Sequence, residues 1–242
     1  MRVRRKCPGW GVLWLSWTML WTVSPVAAQY DEPRSYTSIQ ARFLAAGVLH
    51  RDFAPRDGNP VPDSLAIRFK AYMPVLSYHH GPFEIGFGYT RYTLLGSTRA
   101  SVYFGAIMTN EFPLAMSRTH ALVAPLCVAA DFTKAEGGGV ERDNFNIASL
   151  GLGTGLRYRY MSTDVDAGIR LLAIIHYSFE GLSTGSGSSA SFLADAGLIL
   201  RSIHIGDGLA LGYRYRYQHW SMSNALLNYR VASHGPYLGV LF

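Results

Sequence analysis

The chain has 242 residues, of which 49% are hydrophobic and only 16% charged, with 22 Lys and Arg against 16 Asp and Glu. Soluble domains carry about 25% charged residues and helical membrane proteins need apolar runs of about 20 residues; past its N-terminus the chain fits neither pattern. The formal charge of +6 does not point to nucleic acid, because Arg2, Arg4, Arg5 and Lys6 supply four of those charges and leave +2 for the rest.

Residues 1–28 read as a secretory signal peptide: a basic start, an apolar stretch from Trp10 to Val23, and a small-residue cleavage site at Val26, Ala27 and Ala28. An uncleaved anchor is the rival reading. The remainder, 29–242, is expected to form one domain that keeps only Cys127, so no internal disulfide supports it.

Ten segments of alternating polarity follow, at 38–49, 65–71, 83–90, 101–109, 121–133, 150–159, 168–177, 192–201, 209–220 and 234–242. In a strand, successive side chains take opposite faces. The clearest case is the ninth, where Leu209, Leu211, Tyr213, Tyr215 and Tyr217 share one face and Arg214, Arg216 and Gln218 the other. In the second, Leu65, Ile67, Phe69 and Ala71 are set against Arg68 and Lys70. An arginine facing hydrocarbon costs about 2–4 kcal/mol near the midplane, so the charged faces are expected inside and the apolar faces against lipid. The fold class expected is all-β, a transmembrane up-and-down antiparallel barrel of about ten strands, with eight to twelve possible. A soluble sandwich or lipocalin-like barrel would show the same alternation with the faces exchanged. Tyrosines at segment ends favour the membrane form, as does the glycine-rich opposite face with its few lysines.

Long connections at 50–63, 134–143, 180–188 and 221–233 alternate with short ones after the sixth and eighth segments, as external loops and periplasmic turns do. Leu238, Val240 and the terminal Phe242 lie on one face and resemble the C-terminal assembly signal of outer-membrane proteins. That resemblance implies an outer-membrane location, with the barrel-assembly machinery, outer-membrane lipids and lipopolysaccharide as partners.

The expected inward charges are Arg42, Arg68, Lys70, Arg157, Arg159, Arg170, Arg201, Arg214 and Arg216, with Glu84, Asp131, Asp166 and Asp195. In so narrow a barrel they either pair into a polar core or, with bases in excess, line a narrow anion-passing channel.

One constellation suggests chemistry. His219 and Ser221, two apart on the ninth segment, become same-face neighbours if the strand continues, and a histidine can deprotonate a serine within reach. The stretch YRYQHWSMSNALLN resembles the PagL-like lipid A deacylases (acyloxyacyl hydrolases) and, more loosely, outer-membrane phospholipase A. The resemblance covers only the last thirty or so residues. It implies His219 as base, Ser221 as nucleophile, and Asn224 or Asn228 in place of an acid, since no Asp or Glu follows Asp207. The deacylase pattern runs His-x-Ser-Asn, whereas Asn224 here follows Ser223. Without catalysis, His219, Trp220 and Ser221 belong to the interfacial girdle and loop base.

His50, Asp52, Asp57 and Asp63 fall in the first long loop, and His79 and His80 in a turn. Carboxylates near a histidine in that loop resemble those of outer-membrane proteases, without a defined motif; the histidine pair has no Cys or carboxylate ligand spaced nearby, and no cofactor is expected. Cys127 reads as an inward packing residue. The expected role is structural or surface-interacting, with a lipid hydrolase and a narrow channel as alternatives.

Overall fold

The structure is a computed structural model that describes residues 42–61, 66–94, 97–136, 144–180, 185–201 and 206–242. The expected leader at 1–28, the start of the first segment at 38–41, Asp63, Leu65, the glycine-rich tip of the 134–143 loop and residues 181–184 lie outside the described residues.

The alternating segments form ten antiparallel strands: β1 (Arg42–Pro55), β2 (Phe69–His80), β3 (Phe83–Leu94), β4 (Ser97–Met116), β5 (His120–Glu136), β6 (Asn144–Met161), β7 (Val165–Glu180), β8 (Ser186–Leu200), β9 (Gly208–Met222) and β10 (Tyr229–Leu241). Each pairs with its sequence neighbours, and β1 closes on β10. Closure gives every strand two partners and leaves no edge unpaired. Most strands outrun the segments read from polarity, and the second is displaced: β2 starts at Phe69, so Ile67 and Arg68 of the 65–71 segment precede it. β1 continues through His50, Arg51 and Asp52, which were expected in a loop, and β10 begins at Tyr229 inside the expected 221–233 loop.

Tight turns join the strands at one end of the barrel. At Gly81, φ is +55°, a left-handed conformation that glycine adopts without penalty, and the hairpin between β2 and β3 turns there. The other end carries the longer connections, and its first and last loops clasp across the β1–β10 seam. Asn59 donates through Nδ2 to the Asn228 carbonyl at 2.6 Å, and the Arg56 amide donates to the same carbonyl at 2.9 Å. Asn224 caps the 3-10 turn Ala225–Leu227 by accepting from the Leu226 amide.

Outward side chains form level rows across neighbouring strands. Tyr78 of β2, Leu44 of β1, Val240 of β10 and Leu209 of β9 make one row; Leu76, Ala46, Leu238 and Leu211 make the next one up. Charge returns at Asp52 and Lys70 above and at Arg42 and His80 below, ten residues apart on both strands. At about 3.4 Å per residue and about 40° of tilt, that separation is about 26 Å, which matches the apolar band of about 25 Å on a membrane barrel. Large apolar side chains such as Leu152 (69% exposed) and Ile175 (74% exposed) cover the band elsewhere. The apolar faces therefore look outward, and the fold is an all-β, transmembrane up-and-down barrel.

Candidate functional site

The barrel interior is the first candidate. Along β9 the inward positions rise from Gly212 through Arg214, Arg216 and Gln218 to Trp220 and Met222. Because β8 runs antiparallel in register, Asp195 stands directly opposite Arg214. Arg214 donates to Asp195 at 2.8 Å and also pairs with Glu84 of β3, while Arg170 of β7 donates to Glu84 at 2.7 Å. Two arginines and two carboxylates thus form a neutral quartet. The Tyr237 hydroxyl donates to Asp195 at 3.1 Å, with its ring lying against Gly212, where a Cβ would collide with it. His79 faces the same quartet, 3.8 Å from Glu84.

A second group sits one step higher. Arg216 pairs with Asp131 at 3.1 Å, bonds the Tyr103 hydroxyl and donates to Gln218, which in turn donates to Asp131 at 3.1 Å. Buried charges are tolerable only when paired and hydrogen-bonded, and these are. Nearer the turn end, Arg157 holds Glu111 at 2.5 Å and Arg201 holds Asp166 at 2.7 Å.

Above the polar groups, Phe53, Phe69, Phe145, Trp220 and Tyr229 close the lumen. Trp220 is fully buried and meets Phe145 edge-on at 4.9 Å, and Phe53 stacks on Tyr229 at 5.0 Å. Between this aromatic cap and the quartet lies a cavity of about 40 Å³ lined by Arg51, Tyr103, Glu84, Arg214, Arg216 and Gln218 among others. That volume suits a few waters.

The structure revises the expected lumen set. Arg42, Arg68 and Lys70 are exposed on the outside. The reason is the cap: Ile67 and Phe69 turn inward to build it, which sets the phase of β2 and sends Lys70 outward to pair with Asp52 at 3.4 Å. Arg157, Arg159, Arg170, Arg214, Arg216, Glu84, Asp131, Asp166 and Asp195 point inward, with Arg201 at the turn-end rim. Arg51, Glu111, Tyr103 and Tyr237 also belong to this core and are not among the inward residues expected from sequence, whereas Gln218 stands on the inward face read for the ninth segment. Their clue was phase: each lies on the inward face of a strand whose opposite face is apolar. Cys127 is buried inside, as expected.

A buried chain of donors and acceptors deserves chemical scrutiny. His176 contacts the Ser191 hydroxyl through Nε2 at 2.8 Å, and its Nδ1 lies 3.4 Å from Asp131. The order Asp–His–Ser matches a nucleophilic relay. All three are buried, however, with His176 2% and Ser191 5% exposed, and Asp131 is already engaged by Arg216 and Gln218. No substrate carbonyl reaches Ser191 beneath the cap, so this arrangement orders the core.

On the outside, His219 and Ser221 do lie on one face of β9 near the loop end. The structure does not join them: the Ser221 hydroxyl accepts from Arg56 Nη1 at 2.5 Å, and His219 packs beside Tyr217 with ring centroids 5.9 Å apart. Asn224 is spent on its cap, and Asn228 Oδ1 accepts from the Met222 amide at 2.7 Å. Neither amide reaches His219. Leu238, Val240 and Phe242 face outward together at the turn end. His50 and Asp52 are outward β1 residues and His79 an inward β2 residue, so the loop and turn groupings read from sequence dissolve. Among the described residues, no group of three or more His, Cys, Asp or Glu could hold a metal ion.

These features define a class: a ten-stranded membrane barrel with a filled, capped lumen. No family model and no curated protein matches the chain. Solved structures similar to it include the outer-membrane protease OmpT of Escherichia coli (TM-score 0.37, 8% identity, covering 85% of this chain and 98% of that one). Neisserial surface protein A also appears (TM-score 0.36, 16% identity, 83% and 97%). So does Ail of Yersinia pestis in complex with a heparin analogue (TM-score 0.28, 13% identity, 84% and 99%). At these identities and scores, none lends the chain a role.

Proposed function

We propose that the chain is a non-conducting integral protein of the bacterial outer membrane, a sealed wall that holds its loop end at the cell surface. The observation that carries this reading is the lumen. The Glu84–Arg170–Asp195–Arg214 quartet and the Arg216–Asp131–Gln218 group lie beneath an aromatic cap, with a cavity of about 40 Å³ between. A channel for ions needs hydrated, unpaired groups along a continuous path, and open barrels use about 16–18 strands. The clasped first and last loops support a display role, because they give the seam side of the loop end a defined surface on a rigid wall. The leader at 1–28 and the terminal Leu238–Val240–Phe242 pattern support export and outer-membrane assembly.

Planar-bilayer recording of the refolded mature chain tests the reading. Absence of discrete conductance steps is expected, and reproducible steps of one size would overturn it.

A further inference from the structure

On the outer wall, the β9–β10–β1 side of the loop end brings two guanidiniums together. Just above the apolar band, on the β9–β10–β1 side, Arg230 of β10 stands beside His219 of β9 in register, and Arg56 leans onto Ser221 one step higher. Arg56 and Arg230 are both exposed, and neither pairs with an acid among the described residues. Asp57 follows Arg56 in the loop and makes no ion pair among the described residues. Lys70, nearby, is balanced by Asp52. On β5, Lys134 is neutralised by Glu136 at 2.6 Å, and on β3 a single exposed arginine, Arg91, stands outside this sector.

Directly below these two guanidiniums the wall is tyrosine: Tyr217, Tyr215 and Tyr213 descend β9, and the Tyr213 hydroxyl meets His234 Nδ1 at 2.6 Å. Such rings take the boundary between headgroups and acyl chains. Two unbalanced guanidiniums at headgroup height, above a wall that acyl chains can follow, match a lipid with a phosphate at its head. Arginine presents paired N–H donors in a fork that suits phosphate oxygens, and basic clusters at the membrane surface hold anionic headgroups.

We infer that Arg56 and Arg230, with His219 and Ser221 between them, form a binding site for the phosphate of an anionic membrane lipid whose chains lie along Tyr213–Tyr217. This rests on the reading that the barrel spans a bilayer. It gives the His219–Ser221 stretch a role that needs no hydrogen bond between the two.

Native mass spectrometry of the mature chain, refolded in a non-ionic detergent, tests the site. The probes are dioctanoyl phosphatidic acid, dioctanoylglycerol and inorganic phosphate. One phosphatidic acid per chain is expected, with dioctanoylglycerol and inorganic phosphate each bound at least about tenfold more weakly. R56Q/R230Q should lower phosphatidic acid affinity by about tenfold or more, the scale of losing one or two charge-assisted hydrogen bonds, R230Q alone by less, and K134Q should leave it unchanged. Several results would overturn the inference: unchanged affinity in R56Q/R230Q, an equal loss in K134Q, equal binding of dioctanoylglycerol, or equal binding of inorganic phosphate, which would mark a free-anion site. So would a dimer that R56Q/R230Q dissolves, since the face would then belong to a second copy. Gel mobility before and after boiling, run on every sample, separates failure of this site from failure of the barrel reading: a wild-type chain with no boiling-dependent shift defeats both, and a shifted chain that binds no lipid defeats only the site.

Discussion

Arg214 and Asp195 face each other directly across β9 and β8, and the guanidinium reaches the carboxylate at 2.8 Å inside the barrel. The pair belongs to a quartet whose charges cancel, with Arg170 and Glu84 as the other half.

Removing one member unbalances the rest. Asp195→Ala leaves Arg170 and Arg214 sharing Glu84, and a buried charge stripped of its partner costs about 3–5 kcal/mol. The expected result is an unfolding free energy, from urea titration in lipid vesicles, lowered by that amount. The double variant D195L/R214M leaves the neutral Arg170–Glu84 pair and should recover most of the loss, since an apolar replacement of a whole buried pair is often close to neutral.

The aromatic cap carries packing energy in the upper lumen. Trp220 is fully buried between Phe145 and the other rings, and its indole nitrogen has no hydrogen-bond partner. Trp220→Ala should therefore cost packing alone, about 3–5 kcal/mol, measured by the same unfolding experiment. Bilayer recordings of this variant should stay silent, because the paired polar groups below still fill the lumen.

Leu152 lies midway along β6 with its side chain outside, cross-strand from Val128 and Ile175. Leu152→Arg should destabilise the barrel in vesicles by about 2–4 kcal/mol, the cost of an arginine at the bilayer midplane. The same change at exposed Leu226, on the clasped loop above the band, should change the unfolding free energy by less than about 0.5 kcal/mol. Equal effects at both positions would remove the distinction between band and loop.

Ser221 is engaged by Arg56 and not by His219. Overexpression of the wild-type chain and of Ser221→Ala should therefore give identical acyl-chain profiles of lipid A and phospholipids by mass spectrometry. Loss of an acyl chain in the wild type alone would show that the two side chains meet in the membrane.

Much of the wall was legible because lipid imposes one rule on every strand. β7 and β9 alternate cleanly, and Arg170, Arg214 and Arg216 took their places from polarity alone. The rule failed where the lumen itself turns apolar. Ile67 and Phe69 look like a lipid face, yet they serve the cap, so β2 was read in inverted phase and Lys70 was placed inside. Arg42 failed for a related reason: at the turn-end rim, outside the apolar band, a charge facing outward costs little, so polarity no longer reports direction. The upper end of β1 failed because the charged row at Asp52 looks like loop sequence while the backbone ladder continues through it. The pairing of Glu84 with both Arg170 and Arg214 lay beyond reach, since it joins β3, β7 and β9 across the lumen. The same is true of Arg56 on Ser221, which depends on how the first loop folds over the seam.

Everything rests on which side of the wall meets lipid. The most direct measurement is the migration of the mature chain on SDS gels after refolding into lipid vesicles, with and without boiling, beside a sample refolded in plain buffer. A closed barrel with its apolar rows outward should run faster unboiled than boiled, and should fail to stay monomeric without lipid or detergent. A chain that migrates identically in both states, or that stays folded and monomeric in plain buffer, would contradict the account.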